Sequence, residues 1–241
     1  MFNNYHTRGN RGGATYGQYQ YQMLPFGYEG TQTSGLIGKV MGLLAFSFIF
    51  AAVGAYVGSF LISGMGAYLF VVIAGLVVLI ALQFLIQRSG VNLVLLYLFT
   101  FLEGMGLGPL ISYYLQAANV VLTQAFLITA ITSLGLGIYA WTTKRDFSRL
   151  GDYLFFGLLL LLVGALVNVF FHAPLFTLII AVAGVAIFSG YILYYVQSAR
   201  SMADTMPNAI GLTVSLFLAI INLFLFILQL LEIFSGRDDR R

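Results

Sequence analysis

The 241-residue chain contains no cysteine, one tryptophan, two histidines and four prolines, and only 8% of its residues are charged. Without cysteine there is no disulfide, no thiol nucleophile and no Cys-ligated zinc. His6 and His172 are the sole imidazoles, one in an N-terminal tail and one in a short gap between apolar runs. Neither an HExxH helix nor a histidine cluster can form from them, and His172 reads as an interfacial residue. Acids are scarce too: no Asp lies deep in an apolar run, which excludes an intramembrane aspartyl protease. A membrane serine protease of the rhomboid type is excluded as well, because Ser189-Gly190 follows Ile187-Phe188 where a Gly-x-Ser-Gly nucleophile is required. These absences predict a chain that is not an enzyme and carries neither cofactor nor metal.

What the chain has is apolar length. Hydrophobic residues make up 60% of it, and a charged fraction so far below the roughly 25% of soluble domains makes the bilayer its solvent. Apolar runs extend from Lys39 to Leu61, Ala67 to Ile86, Val91 to Leu115, Asn119 to Trp141, Gly151 to Phe171, Pro174 to Gln197 and Asn208 to Phe234. Each is near or above the ~20 residues that a spanning helix needs. Arg8, Arg11 and Lys39 precede the first run, Arg88 separates the second from the third, Lys144, Arg145 and Arg149 follow the fourth, and Arg200 follows the sixth. The other three gaps carry no Lys or Arg, so the pattern predicts seven spans with the N-terminus cytoplasmic and the C-terminus outside. Arg237, Arg240 and Arg241 would then lie outside, nearly balanced by Asp238 and Asp239. Re-entry of the seventh run is the alternative, and it would leave the tail cytoplasmic. The net charge of +3 is an orientation signal and no footprint for nucleic acid.

Three segments follow: a Gly-, Gln- and Tyr-rich cytoplasmic tail over 1–35 without apolar period, a seven-helix domain over 36–235, and a short charged tail over 236–241. The first is neither a signal peptide nor a folded domain; it is suited to act as a protease handle or a docking segment. GLIGKV at Gly35 to Val40 lacks the Ser or Thr of a phosphate loop. Gly104, Gly106 and Gly108 lie inside an apolar run with no strand before them, so close helix packing explains them better than nucleotide binding.

Ionisable groups left inside a span cost roughly 2.5–3.5 kcal/mol at mid-bilayer and mark positions of interest. Glu103 is the one acid deep in a run, in FTFLEGMGLGPLISYY. Pro109 removes a backbone donor and frees the carbonyl of Met105, which predicts a helix break near Gly104, Gly108 and Pro109. A carboxyl beside freed carbonyls suits a Ca²⁺ or proton site. The same carboxyl, protonated and hydrogen-bonded to another span, would be a packing lock, and the residues leave both readings open. Asn168 and Asn222 are neutral amides expected to tie helices together, Asp152 and Asn208 are expected helix caps, and Glu232 stands at the outer end of the seventh span.

The stretches FTFLEGMGLGP (Phe99 to Pro109), TTKRDFSRLG (Thr142 to Gly151), LVNVFF (Leu166 to Phe171), SGYILYYVQ (Ser189 to Gln197) and SLFLAIINLFLFILQLL (Ser215 to Leu231) together resemble the Bax inhibitor-1 family, in particular its bacterial YccA-like branch. The resemblance spans the chain from about Lys39 onward and implies an all-α fold of seven transmembrane helices, six surrounding a central C-terminal helix. In calcium-leak members of that family an Asp on the sixth span and another on the seventh form a pH-sensitive latch, since two acids held together in low dielectric do not both ionise easily. Here those positions are Tyr195 and Ala219, so the proton latch is missing, while Glu103, Asn168 and Asn222 occupy matching positions. For the YccA-like branch the resemblance implies modulation of the membrane-bound FtsH protease through the N-terminal tail, in a bacterial inner membrane. A passive Ca²⁺ or H⁺ leak is the alternative function.

Overall fold

A computed structural model describes residues 32–171 and 173–238, the side chains of 32–34, 237 and 238 excepted. Seven helices follow one another: α1 (Gln32–Leu61), α2 (Met65–Leu85), α3 (Val91–Ala117), α4 (Asn119–Thr142), α5 (Leu150–Phe171), α6 (Pro174–Ser198) and α7 (Met206–Asp238). All seven are long and apolar enough to cross a membrane. In hydrocarbon every backbone N–H and C=O needs a partner within the protein, and a helix supplies it from its own segment. The fold is all-α, as expected. α1 starts within the segment assigned to the tail, and α7 extends four residues past Phe234.

Short connections reverse the chain. Gly64 (φ 128°) and Gly90 (φ 82°) turn α1 into α2 and α2 into α3, conformations that a Cβ disfavours. Ala118 alone separates α3 from α4, and Pro174 opens α6, where its missing N–H costs nothing. Lys39, Arg88, the Lys144–Arg149 loop and Arg200 consequently gather at one end of the bundle, here termed the basic end.

α7 is the most buried span, 44% of it being enclosed against 11% of α5. It packs chiefly on α6, α1, α4 and α3, while α2 joins through α3 and α5 through α6. Phe217 on α7 is fully buried and meets Phe48 of α1 and Phe99 of α3, with ring centroids 5.3 and 6.2 Å away. α7 is one unbroken helix, and Glu232 near its end accepts a 2.6 Å hydrogen bond from the Tyr114 hydroxyl near the end of α3.

Candidate functional site

The polar and strained positions of the bundle resolve into four places. The first is the α1–α3 seam, a parallel helix pair. A Cβ on Gly54 would fall into the carbonyl oxygen of Phe101, one on Gly58 into that of Met105, and one on Gly104 into that of Ala51. One on Gly108 would sit 2.5 Å from the Ser59 amide nitrogen. Small residues at i and i+4 on both helices thus let the two backbones touch, which is how membrane helices associate without a hydrophobic drive.

That seam corrects the break expected at Pro109: α3 is helical without interruption from Val91 to Ala117, Pro109 included. The carbonyl that Pro109 deprives of its N–H belongs to Met105, and Gly58 of α1 lies directly on it. A Cα–H against a carbonyl is a weak but real attraction, and it gives that oxygen one neighbour in place of the missing N–H. Gly104 and Gly108 are therefore packing positions, whereas Gly106 has open space around it.

Glu103 forms the second place. It is half-buried on α3 facing α2, its carboxyl oxygen 3.8 Å from where a Cβ on Gly75 would stand. No hydrogen bond reaches its carboxyl among the described residues, so the interhelical lock foreseen for it has no visible partner.

The third place is the α6–α7 interface. Tyr195 stacks on Tyr191 at 5.5 Å and meets Tyr194 edge-on at 5.4 Å, with Ser215 of α7 beside its hydroxyl. Ala219, one turn further along α7, is buried. Glu103 faces α2, whereas this pair lies between α6 and α7. Asn168 of α5 donates from Nδ2 to Thr177 Oγ1 of α6 at 2.9 Å, an interhelical tie, although its buried Oδ1 has no partner among the described residues. Asn222 differs from expectation: its Nδ2 donates to the Leu218 carbonyl of its own helix at 2.8 Å. An amide in apolar surroundings can satisfy itself from the turn below it, and here it does.

The basic end is the fourth place, and the sequence reading largely missed it. Gln197 at the end of α6 grips the α4–α5 loop twice, accepting from the Phe147 amide and donating to the Arg145 carbonyl. Arg200 donates to the Thr143 carbonyl at 3.1 Å and lies over the Trp141 ring at 5.8 Å. Lys39 of α1 pairs with Asp204 in the α6–α7 loop at 2.9 Å. An acid in a loop of a basic face was the signal available for Asp204. In the α4–α5 loop the Ser148 backbone amide, with its hydroxyl, holds the Asp146 carboxyl below the usual carboxylate range. Thr205 precedes α7 and its Oγ1 accepts from the Asn208 amide at 3.4 Å, so Thr205 caps α7 in place of the expected Asn208, whose Nδ2 donates to the Ala203 carbonyl. Asp152 does lie in the first turn of α5. His6, His172 and the tail over 1–31 lie outside the described residues.

No three His, Asp or Glu side chains converge on a common point among the described residues. Residues 33–236 match the family described as inhibitor of apoptosis-promoting Bax1. The chain belongs to the Bax inhibitor-1 family. An uncharacterized protein of Campylobacter jejuni is 34% identical to this family member over 222 residues, 87% of this chain and 94% of that one. An uncharacterized protein of Helicobacter pylori is 40% identical over 102 residues, covering 42% of this chain and 43% of its own length. A Golgi anti-apoptotic protein of Vaccinia virus is 36% identical over 95 residues, 39% of this chain and 40% of that one. The chain thus spans less than half the length of several relatives it matches.

Proposed function

We propose that this Bax inhibitor-1 family protein is a non-conducting, non-enzymatic modulator of membrane proteolysis or of a stress response, in a bacterial inner membrane with its basic end in the cytoplasm. The observation that carries the reading is the seal over the Met105 carbonyl. A cation held by α3 beside Pro109 would draw on that oxygen, and Gly58 of α1 packs against it. The aromatic stack of Tyr191 and Tyr195 at the latch position supports the same reading, since it offers packing where a proton-sharing pair of acids would offer a gate. Gln197, Arg200 and the Lys39–Asp204 pair order the loops of the basic end, the face on which a cytoplasmic partner would dock, and an FtsH-type protease engaged through the tail is the partner proposed. Retained Lys and Arg at that end support its placement in the cytoplasm.

The experiment is to isolate the tagged full chain, and the same chain lacking residues 1–34, from bacterial membranes and probe each for the FtsH-type protease. Co-isolation with the full chain and its loss with the truncated one is expected. Equal absence of the protease from both would overturn the partnership.

A second reading rests on one observation: Glu103 is a carboxyl between α2 and α3 with no hydrogen-bond partner among the described residues. An unpaired intramembrane acid marks a proton or cation path by default, so a passive Ca²⁺ or H⁺ leak through the α2–α3 face is the competing function. It predicts ion flux that Glu103→Gln removes.

A further inference from the structure

In the half of the bundle away from the basic end, α1, α3, α4 and α7 enclose a cavity of about 510 Å³. Its lining residues Tyr56, Phe60, Leu115 and Phe126 are exposed, so it opens onto the apolar outer surface of the bundle. Small residues leave the space: Ala52 and Ala55 of α1, with Gly104 and Gly108 of α3. Leu107, Ile111, Phe126 and Phe224 supply the walls, the last two stacked with centroids 4.5 Å apart. Polar atoms come from the far end, where Ser59 is two residues from the end of α1 and Ser112 lies in the last turns of α3. Ser59 Oγ donates to the Tyr56 carbonyl at 2.7 Å and Ser112 Oγ accepts from Gln116 at 3.4 Å; each hydroxyl retains capacity for a further bond.

Three occupants can be compared on size and chemistry. Water at ~30 Å³ per molecule would need many molecules, each with two to four polar partners, and the walls offer almost none. A partner helix is 10–12 Å across, so the cavity would take only about one turn of it. The volume is instead that of a slender, flexible apolar ligand, within the ~300–1,000 Å³ of ordinary ligand sites. Bilayer lipid presents such a ligand at the opening.

We propose that this cavity is a binding site for one acyl chain of a bilayer phospholipid, the chain lying along the α1–α3 seam and the ester region meeting the Ser59 and Ser112 hydroxyls. The glycines then have two consequences: they bring α1 onto α3, and they leave the hollow that the chain fills. This site stands independently of the function proposed above.

The test uses the full chain in nanodiscs containing a phospholipid with a diazirine at mid-chain, photolysed and mapped by peptide mass spectrometry. Adducts on Leu107 and Ile111 are expected to exceed those on the lipid-facing Phe70, Phe84 and Leu160 by about tenfold, the ratio of a 1.4 kcal/mol preference. Ala52→Trp should fill the cavity and bring its adducts down to the Phe84 level while Phe84 labelling persists. Leu107→Trp gives the same reading should the first variant fold poorly. Uniform labelling of cavity and surface in the unaltered chain overturns the proposal, as does exclusive cross-linking of one copy of the chain to another.

Discussion

Along the α1–α3 seam backbone meets backbone, because Gly54, Gly58, Gly104 and Gly108 have no side chain to hold the helices apart. At the α6–α7 interface the contact is made by rings: Phe226 packs over Gly184 and stacks on Phe188 at 5.7 Å, and Tyr191 and Tyr195 continue the aromatic row. The first joint is rigid, since a carbonyl cannot move aside without its helix. The second can adjust by swinging a side chain about χ1. Tyr195 and Ala219 fall in the adjustable joint, and the glycine pairs in the rigid one, so variation at Tyr195 and Ala219 is expected to leave the scaffold standing and variation at Gly58 is expected to disturb it.

Breaking the rigid joint gives the largest effect. Gly58→Ala sets a methyl into the Met105 carbonyl and should destabilise the protein by roughly 1–3 kcal/mol, as overpacked cores do, read as a lowered unfolding temperature in detergent. Gly184→Ala tests the second joint; the Phe226 Cγ in its way moves only if the whole side chain swings about χ1, and a loss of about 1 kcal/mol, smaller than at Gly58 because no backbone need move, is expected. A loss at Gly184 equal to that at Gly58 would erase the distinction. Tyr114→Phe removes the hydrogen bond to Glu232 that ties α3 to α7, at a cost of about 1 kcal/mol. Gly106→Ala is the matched control on α3. With nothing within 4 Å of its Cβ, it should be neutral or stabilising by up to about 1 kcal/mol, the helix preference for Ala over Gly.

Seven helices were legible because bilayer thickness writes itself into apolar run length, and their order could be read from Arg88, Lys144, Arg145, Arg149 and Arg200. The packing role of Gly104 and Gly108 was legible from their spacing within an apolar run. The consequence of Pro109 was not. A proline predicts a freed carbonyl from its own helix alone, whereas what becomes of Met105 depends on a glycine some fifty residues earlier in the chain. Asn222 misled for a related reason: an amide in an apolar span must find a partner, and sequence does not say whether that partner is another helix or the turn below. Gln197 escaped notice because both of its bonds go to main-chain atoms of a loop, which leave no trace in side-chain identity. Asn208 reads as a cap because Thr205, the residue that does cap α7, lies just before the apolar run begins.

The central claim is that the polar groups of this bundle serve packing and docking, and that no ion path runs through them. Ca²⁺ and H⁺ flux into proteoliposomes, measured at acidic and neutral pH for the unaltered protein and for Glu103→Gln, tests it most directly. The account predicts flux no greater than in protein-free vesicles at either pH and no difference between the two proteins. Flux that changes with pH and disappears in Glu103→Gln would contradict it.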